Sequence, residues 1–224
     1  MSDDGQTFGK FPQRTIGITG GLGMGKTTIS NYLSTTHHLP VLDADLYARE
    51  AVQPDSAVYQ EIIERYGSSV LLPNRTLDRT RLGEIIFNNS SERLWLEQRI
   101  HPYVRDRMET TLKELRSQAV PTAVLVIPLL FEARMTDLVN EIWVVYCPAE
   151  KQVERLMQRD HLNLEQIHAR INSQMAIEQK IRRADVVLDN SSTPEVLLQQ
   201  VNLALTQSQP NAQSQFSTRR SLEE

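Results

Sequence analysis

Five of the nine glycines in this 224-residue chain lie between Gly17 and Gly25. Glycine is scarce elsewhere, so the backbone near residue 20 has a requirement that the rest of the chain does not share. Residues 20–27 read GGLGMGKT, and Gly20, Gly25, Lys26 and Thr27 satisfy the phosphate-loop pattern G-x-x-x-x-G-K-[ST]. The flanks agree with the motif. RTIGIT (14–19) reads as a short buried strand, and KTTISNYLSTTHH from Lys26 reads as a helix with Ile29 and Leu33 on one face. Glycines let peptide N–H groups converge on phosphate oxygens with no Cβ in the way, and the helix N-terminus adds partial positive charge. In such a loop Lys26 is expected at the β- and γ-phosphates and the Thr27 hydroxyl on Mg²⁺.

Four more segments have strand character: LPVLD (39–43), TAVLVI (122–127), EIWVVY (141–146) and Val186 to Leu188. Two of these are unbroken apolar runs, which suit a parallel sheet covered on both faces. Helical stretches alternate with them. Ile100, Val104, Met108, Leu112 and Leu115 recur at spacings of three and four. A second helix covers Ala149 to Arg159, a third starts at Asn163, and Thr193-Pro194-Glu195 is a cap-then-proline helix start. The expectation is an α/β, doubly wound five-stranded parallel sheet with a helical insertion and a helical lid. One domain over 14–205 divides into a nucleotide-binding core (14–47, 119–150, 184–205), an insertion (48–118) and a lid (151–183). Residues 1–13 and 206–224 are expected to be flexible tails.

Composition excludes several classes. The sequence is 40% hydrophobic and 23% charged with a net charge of −4, so no global basic field exists for nucleic acid or an anionic membrane. The longest apolar run, Val120 to Phe131, is far short of the ~20 residues a spanning helix needs. No signal-like segment opens the chain. Cys147 is the one cysteine, so no internal disulfide or cysteine-based zinc site can form; it reads as a small buried residue at a strand end. A cytoplasmic protein is expected.

Asp43-Ala44-Asp45 closes the second strand, at the sheet edge where ligands bind. On an extended segment the two carboxylates would point the same way, with Asp43 supporting the metal and Asp45 accepting a proton from an attacking hydroxyl. The competing reading is a helix N-cap ahead of Leu46. The third strand ends in Val126-Ile127-Pro128, without the Asp that often binds magnesium there, which favours the 43/45 pair. Arginine outnumbers lysine 19 to 5. Residues 151–183 carry seven basic and four acidic side chains, which suits a lid closing over transferring phosphate.

These residues, in this order, resemble dephospho-CoA kinase from about Thr15 to Leu205. The segments are ITGGLGMGKTT, VLDADLYAR (41–49), Ile100-His101-Pro102, PLLFE (128–132), LMQRD (156–160) and ADVVLDN (184–190). The resemblance implies phosphorylation of the ribose 3′-hydroxyl of dephospho-CoA by ATP, the last step of coenzyme A synthesis, with the insertion binding the acceptor. By position Asp45 matches the base and Arg159 the lid arginine at the phosphates, so Asp45, Lys26 and Arg159 are the candidate catalytic residues. Gly21, Gly23, Met24, Gly25, Lys26, Thr27, Thr28 and Asn190 are the candidate ATP contacts, Asn190 bordering the adenine. Arg49 and His101 fall with Asp45 on the acceptor side, and Thr27 and Asp43 on the metal. Pro102 also reads as a simple helix kink. Met24 stands where the family usually has a small residue, and Thr27 retains the hydroxyl of the more frequent Ser.

Three rivals were weighed. A shikimate-type kinase looks for glycines after the third strand, where this chain has PLLFE, and lacks so long an insertion. A GTP switch needs an N-K-x-D segment, which does not occur. A nucleotide-binding module without turnover would have no use for a carboxylate at Asp45.

Overall fold

The structure is a computed structural model that describes residues 11–160 and 163–207. Its centre is a parallel sheet of β1 (Arg14–Gly20), β2 (Val41–Asp43), β3 (Thr122–Val126), β4 (Glu141–Tyr146) and β5 (Val186–Asp189), in the order β2-β3-β1-β4-β5. The doubly wound arrangement expected from the alternating pattern is present. All four strand pairings are parallel, so the C-terminal ends share one edge. The register aligns Gly20 with Val145 and Asp43 with Val126, which brings the phosphate loop and the acidic segment to that edge.

The sheet is buried on both faces. Ala123, Leu125 and Val144 pack with Val104, Met108 and Leu112 on one side, while Val124, Trp143 and Val145 pack with Ile29, Leu33, Leu197 and Val201 on the other. Three of these helical residues, Val104, Met108 and Leu112, come from one long helix, α5 (Ser90–Ser117). The others lie on α1 (Lys26–Thr35) and α9 (Pro194–Thr206). Cys147 is buried just beyond β4, as its position implies.

Between β2 and β3 come α2 (Ala44–Ala51), α3 (Ala57–Tyr66), α4 (Arg79–Asn88) and α5. They build a second core from Ala51, Val52, Tyr59, Ile62, Val70, Leu77, Leu82 and Leu96. Helix α5 serves both cores, with Leu96 in this one and Met108 against the sheet, which ties the insertion rigidly to the sheet. Its start is fixed by Asn89, whose side chain accepts the N–H of Ser91 and Glu92.

After β4 come α6 (Ala149–Asp160), α7 (Leu164–Asn172) and the short α8 (Ile177–Ile181). Asn163 begins α7 with a reciprocal capping box to Gln166, the local signal that marked this start in the sequence. Phe11 packs against the sheet core, and the other parts of the two terminal segments, 1–10 and 208–224, lie outside the described residues. No helix among the described residues is long and apolar enough to cross a membrane.

Candidate active site

The glycine loop joins β1 to α1. At Gly20 φ is +144°, and a Cβ there would lie 2.4 Å from the Val145 carbonyl oxygen. At Gly25 φ is +101°, and a Cβ would meet Asn190 Nδ2 at 2.1 Å. Side chains are therefore excluded twice over at these two motif positions, by backbone angle and by space. Met24 fills the inside of the loop. It is buried, and its Sδ accepts the Gly21 N–H at 3.2 Å. Thr27 and Thr28 are exposed in the first turn of α1, which has no acidic residue to compete with an incoming anion.

Lys26 Nζ donates to the carbonyl oxygens of Gly20 (2.9 Å) and Gly21 (2.8 Å). Burial, then repulsion from Lys180, pushes its pKa down from 10.5 to about 8, with Arg159 adding to the effect and Asp45 and Asp43 opposing it. Those contributions place both carboxylates and the lid arginine within electrostatic reach of this ammonium.

The acidic segment departs from the extended geometry expected of it. The chain leaves β2 at Asp43 and is helical from Ala44, so Asp45 projects from the first turn of α2 and not from a strand. Asp43 is the N-cap, its Oδ1 accepting the Asp45 N–H at 2.8 Å. Aspartate is a favoured cap, and the cap turns the chain one residue earlier than the apolar pattern implied. Burial, and then the neighbouring Asp43, raise the Asp45 carboxyl above the ordinary range, with Lys26 and Arg49 opposing.

Asp45 faces a cavity of about 310 Å³. Its walls are chiefly apolar, with Ala48, Leu96, Ile100 and Leu129 among them, and His101 is the imidazole on its rim. Burial lowers the His101 pKa, so this ring is neutral at pH 7. The structure thus brings Asp45 and His101 to one cavity. Arg49 is exposed at the last turn of α2 and does not line it, although its charge reaches Asp45.

A second cavity of about 220 Å³ lies on the other side of the loop, lined by Gly23, Gly25, Thr28, Arg155, Asn190, Pro194 and Leu197. Asn190 is buried, and its Nδ2 donates to the Met24 carbonyl at 2.9 Å, so it braces the loop as well as lining this cavity. Arg155 did not emerge from the sequence. Its Nη2 donates to the Asn190 carbonyl at 3.2 Å, while Nη1 is buried without a hydrogen-bond partner among the described residues. Its one sequence signal was its place four residues before Arg159, on the same face of α6. Arg159 is exposed and forked onto Asp160, with Nε at 2.6 Å and Nη2 at 2.8 Å from the two carboxylate oxygens.

Among the described residues no group of three or more His, Cys, Asp or Glu converges on a cation site. Magnesium at a nucleotide takes only one or two protein ligands, with phosphate and water oxygens supplying the rest. The Thr27 hydroxyl and the Asp43 carboxylate are hard oxygen donors at the loop, and this donor set fits such an ion.

The dephospho-CoA kinase family model matches residues 14–195 of this chain. The chain belongs to the dephospho-CoA kinase family. A dephospho-CoA kinase from Trichormus variabilis is 57% identical over 193 residues, covering 86% of this chain and 97% of its own length. Among solved structures, the Thermus thermophilus protein TT1252 superposes with a TM-score of 0.71 at 32% identity, covering 89% of this chain and all of that one. The dephospho-CoA kinase from Campylobacter jejuni superposes with a TM-score of 0.62 at 28% identity, covering 85% of this chain and 95% of its own. Membership of the dephospho-CoA kinase family makes the chain a phosphotransferase with ATP as co-substrate.

Proposed function

We propose that the chain transfers the γ-phosphoryl group of ATP to the ribose 3′-hydroxyl of dephospho-CoA, giving coenzyme A. The observation that carries this reading is the position of Asp45, whose carboxylate faces the apolar cavity on one side and lies within the field of Lys26 on the other. A hydroxyl lodged there meets a base next to the phosphate loop.

The loop N–H groups and the α1 N-terminus hold the triphosphate, and the Lys26 ammonium leaves the carbonyls of Gly20 and Gly21 for phosphate oxygens. The second cavity, with Arg155 and Asn190, takes the adenine side of ATP, and the buried Arg155 Nη1 is the donor that a base or ribose oxygen would satisfy. Thr27 and Asp43 hold magnesium, which when bound spreads the negative charge of the β- and γ-phosphates. Asp45 accepts the proton of the attacking hydroxyl, its raised pKa making it a stronger base than an ordinary carboxylate. Arg159 exchanges its fork on Asp160 for the transferring phosphate when residues 151–183 close as a lid. The insertion over 48–118 supplies the acceptor side, with His101 in the cavity wall and Arg49 at its approach. No nucleic-acid or membrane partner enters this reaction, and its setting is the cytoplasm.

Incubation with ATP, Mg²⁺ and dephospho-CoA tests the proposal, with coenzyme A as the product sought. Absence of coenzyme A, with shikimate or a nucleoside phosphorylated in its place, would overturn the acceptor. ATP binding with no turnover on any of these acceptors would indicate a regulatory nucleotide module.

A further inference from the structure

The two ends of the α6–α7 hairpin grip one residue of the phosphate loop. Gln152 of α6 donates from Nε2 to the Leu22 carbonyl at 2.7 Å. Gln174, just after α7, accepts the Leu22 N–H on its Oε1 at 3.1 Å. Neither glutamine belongs to the phosphate-binding motif.

Gln174 is itself held by a buried ion pair. The next residue, Met175, donates its N–H to Glu132 Oε1 at 2.9 Å. The same oxygen lies 2.9 Å from Lys180 Nζ, which also donates to the Pro128 carbonyl at 2.9 Å. Thr19, in the strand that leads into the loop, donates its hydroxyl to that carbonyl as well. Lys180 is completely buried. Burying a charge pair costs desolvation, and an apolar pair of similar volume is often the more stable choice. This pair is not arranged for stability alone, since Glu132 Oε2 is buried with no hydrogen-bond partner among the described residues. The mechanism above uses neither residue.

We propose that Lys180 and Glu132 are positioning residues for nucleotide binding: by fixing residues 173–175 they keep the Gln174 amide on the Leu22 N–H and so set the shape of the phosphate loop. The influence of Lys180 on the Lys26 ammonium agrees with this closeness to the loop. Residues that anchor the hairpin thereby also tune the phosphate site.

The test is equilibrium titration of the full chain with ATP in the absence of any acceptor. It relies on the reading above only for a nucleotide at the loop, so a wrong acceptor leaves it unaffected. Gln174→Ala removes the grip without disturbing a buried charge. It is expected to weaken ATP binding about tenfold, the scale of one lost hydrogen bond to a backbone donor, with little change in melting temperature. Lys180→Met is expected to weaken binding to a similar degree and to lower the melting temperature. The double variant should bind no more weakly than Lys180→Met alone, because both changes act through one contact. A purely structural pair would lower stability and leave ATP affinity unchanged. Unaltered ATP binding by Gln174→Ala, or losses that multiply in the double variant, would overturn the proposal. Should Lys180→Met fail to fold, Glu132→Gln combined with Gln174→Ala makes the same comparison, with the same two outcomes deciding it.

Discussion

The Asp43 carboxylate accepts the backbone N–H of Asp45 at 2.8 Å, so one acid fixes the turn of helix from which the other projects. The capping and chemical readings of this pair are therefore compatible. Asp43 directs the chain into α2, and α2 presents Asp45 to the cavity. Asp45→Asn preserves size and removes only the basic oxygen. Turnover is expected to fall ~10²–10⁴-fold, the usual contribution of a general base, while ATP affinity stays close to that of the parent. A coupled assay for ADP release beside an ATP titration checks both, and near-normal turnover would remove Asp45 from the role of base.

The pair also sets a pH dependence. A base acts when deprotonated, so turnover should rise with pH through the Asp45 pKa, and burial together with Asp43 place that pKa above the ordinary carboxylate range. Asp43→Asn keeps an oxygen to cap the helix and removes the repelling charge. Its acid limb should therefore shift to lower pH, since Asp45 then ionises more easily. The comparison is made on kcat, so that weaker metal or nucleotide binding does not enter. A limb that stays in place would show that some other group controls it.

Lys26 sets the opposite limb. Its ammonium is the form that attracts phosphate, and in the free protein burial and Lys180 lower its pKa to about 8. ATP affinity should be flat below that pH and decline above it as the protonated fraction falls. Bound phosphate favours the charged form, so the bound-state pKa lies higher, and binding near pH 8 to 9 takes up a proton. Calorimetric titrations in buffers of different ionisation enthalpy would measure that uptake. No net proton uptake across this range would contradict the depressed pKa.

Much of this was legible in the sequence because it is written in short-range patterns. The strand runs, the glycine motif, the α5 spacing and the Asn163 cap each need only a few neighbouring residues. The extended placement of Asp45 failed because the apolar run into LPVLD says nothing of where the strand stops, whereas the capping preference of Asp43 does. Gln152, Gln174 and Lys180 were missed for a different reason. Each acts on a segment far along the chain, on Leu22 or on the β3 exit, and isolated amides or one lysine in a basic stretch have no spacing that marks them. The second core was hidden because α5 serves two layers, so its apolar stripe does not reveal where one ends.

Gly25 and Asn190 test the packing of the loop itself. A Cβ at Gly25 would overlap Asn190 Nδ2 at 2.1 Å, on a backbone with φ of +101°. Two penalties are thus superposed in Gly25→Ala, a backbone strain of order 1–3 kcal/mol and the displacement of an amide that braces the Met24 carbonyl. Asn190→Ala isolates the second, and by itself should cost about 1 kcal/mol, the net worth of a buried hydrogen bond. Combining them opens the space but leaves the backbone angle. Gly25→Ala should therefore be partly rescued in stability by Asn190→Ala, yet ATP binding should remain impaired, because the loop N–H groups are still turned from their converging directions. Denaturant melts of the four proteins give the first quantity and ATP titrations the second. Full recovery of ATP binding in the double variant would mean that space, and not the left-handed backbone, is what the glycine provides.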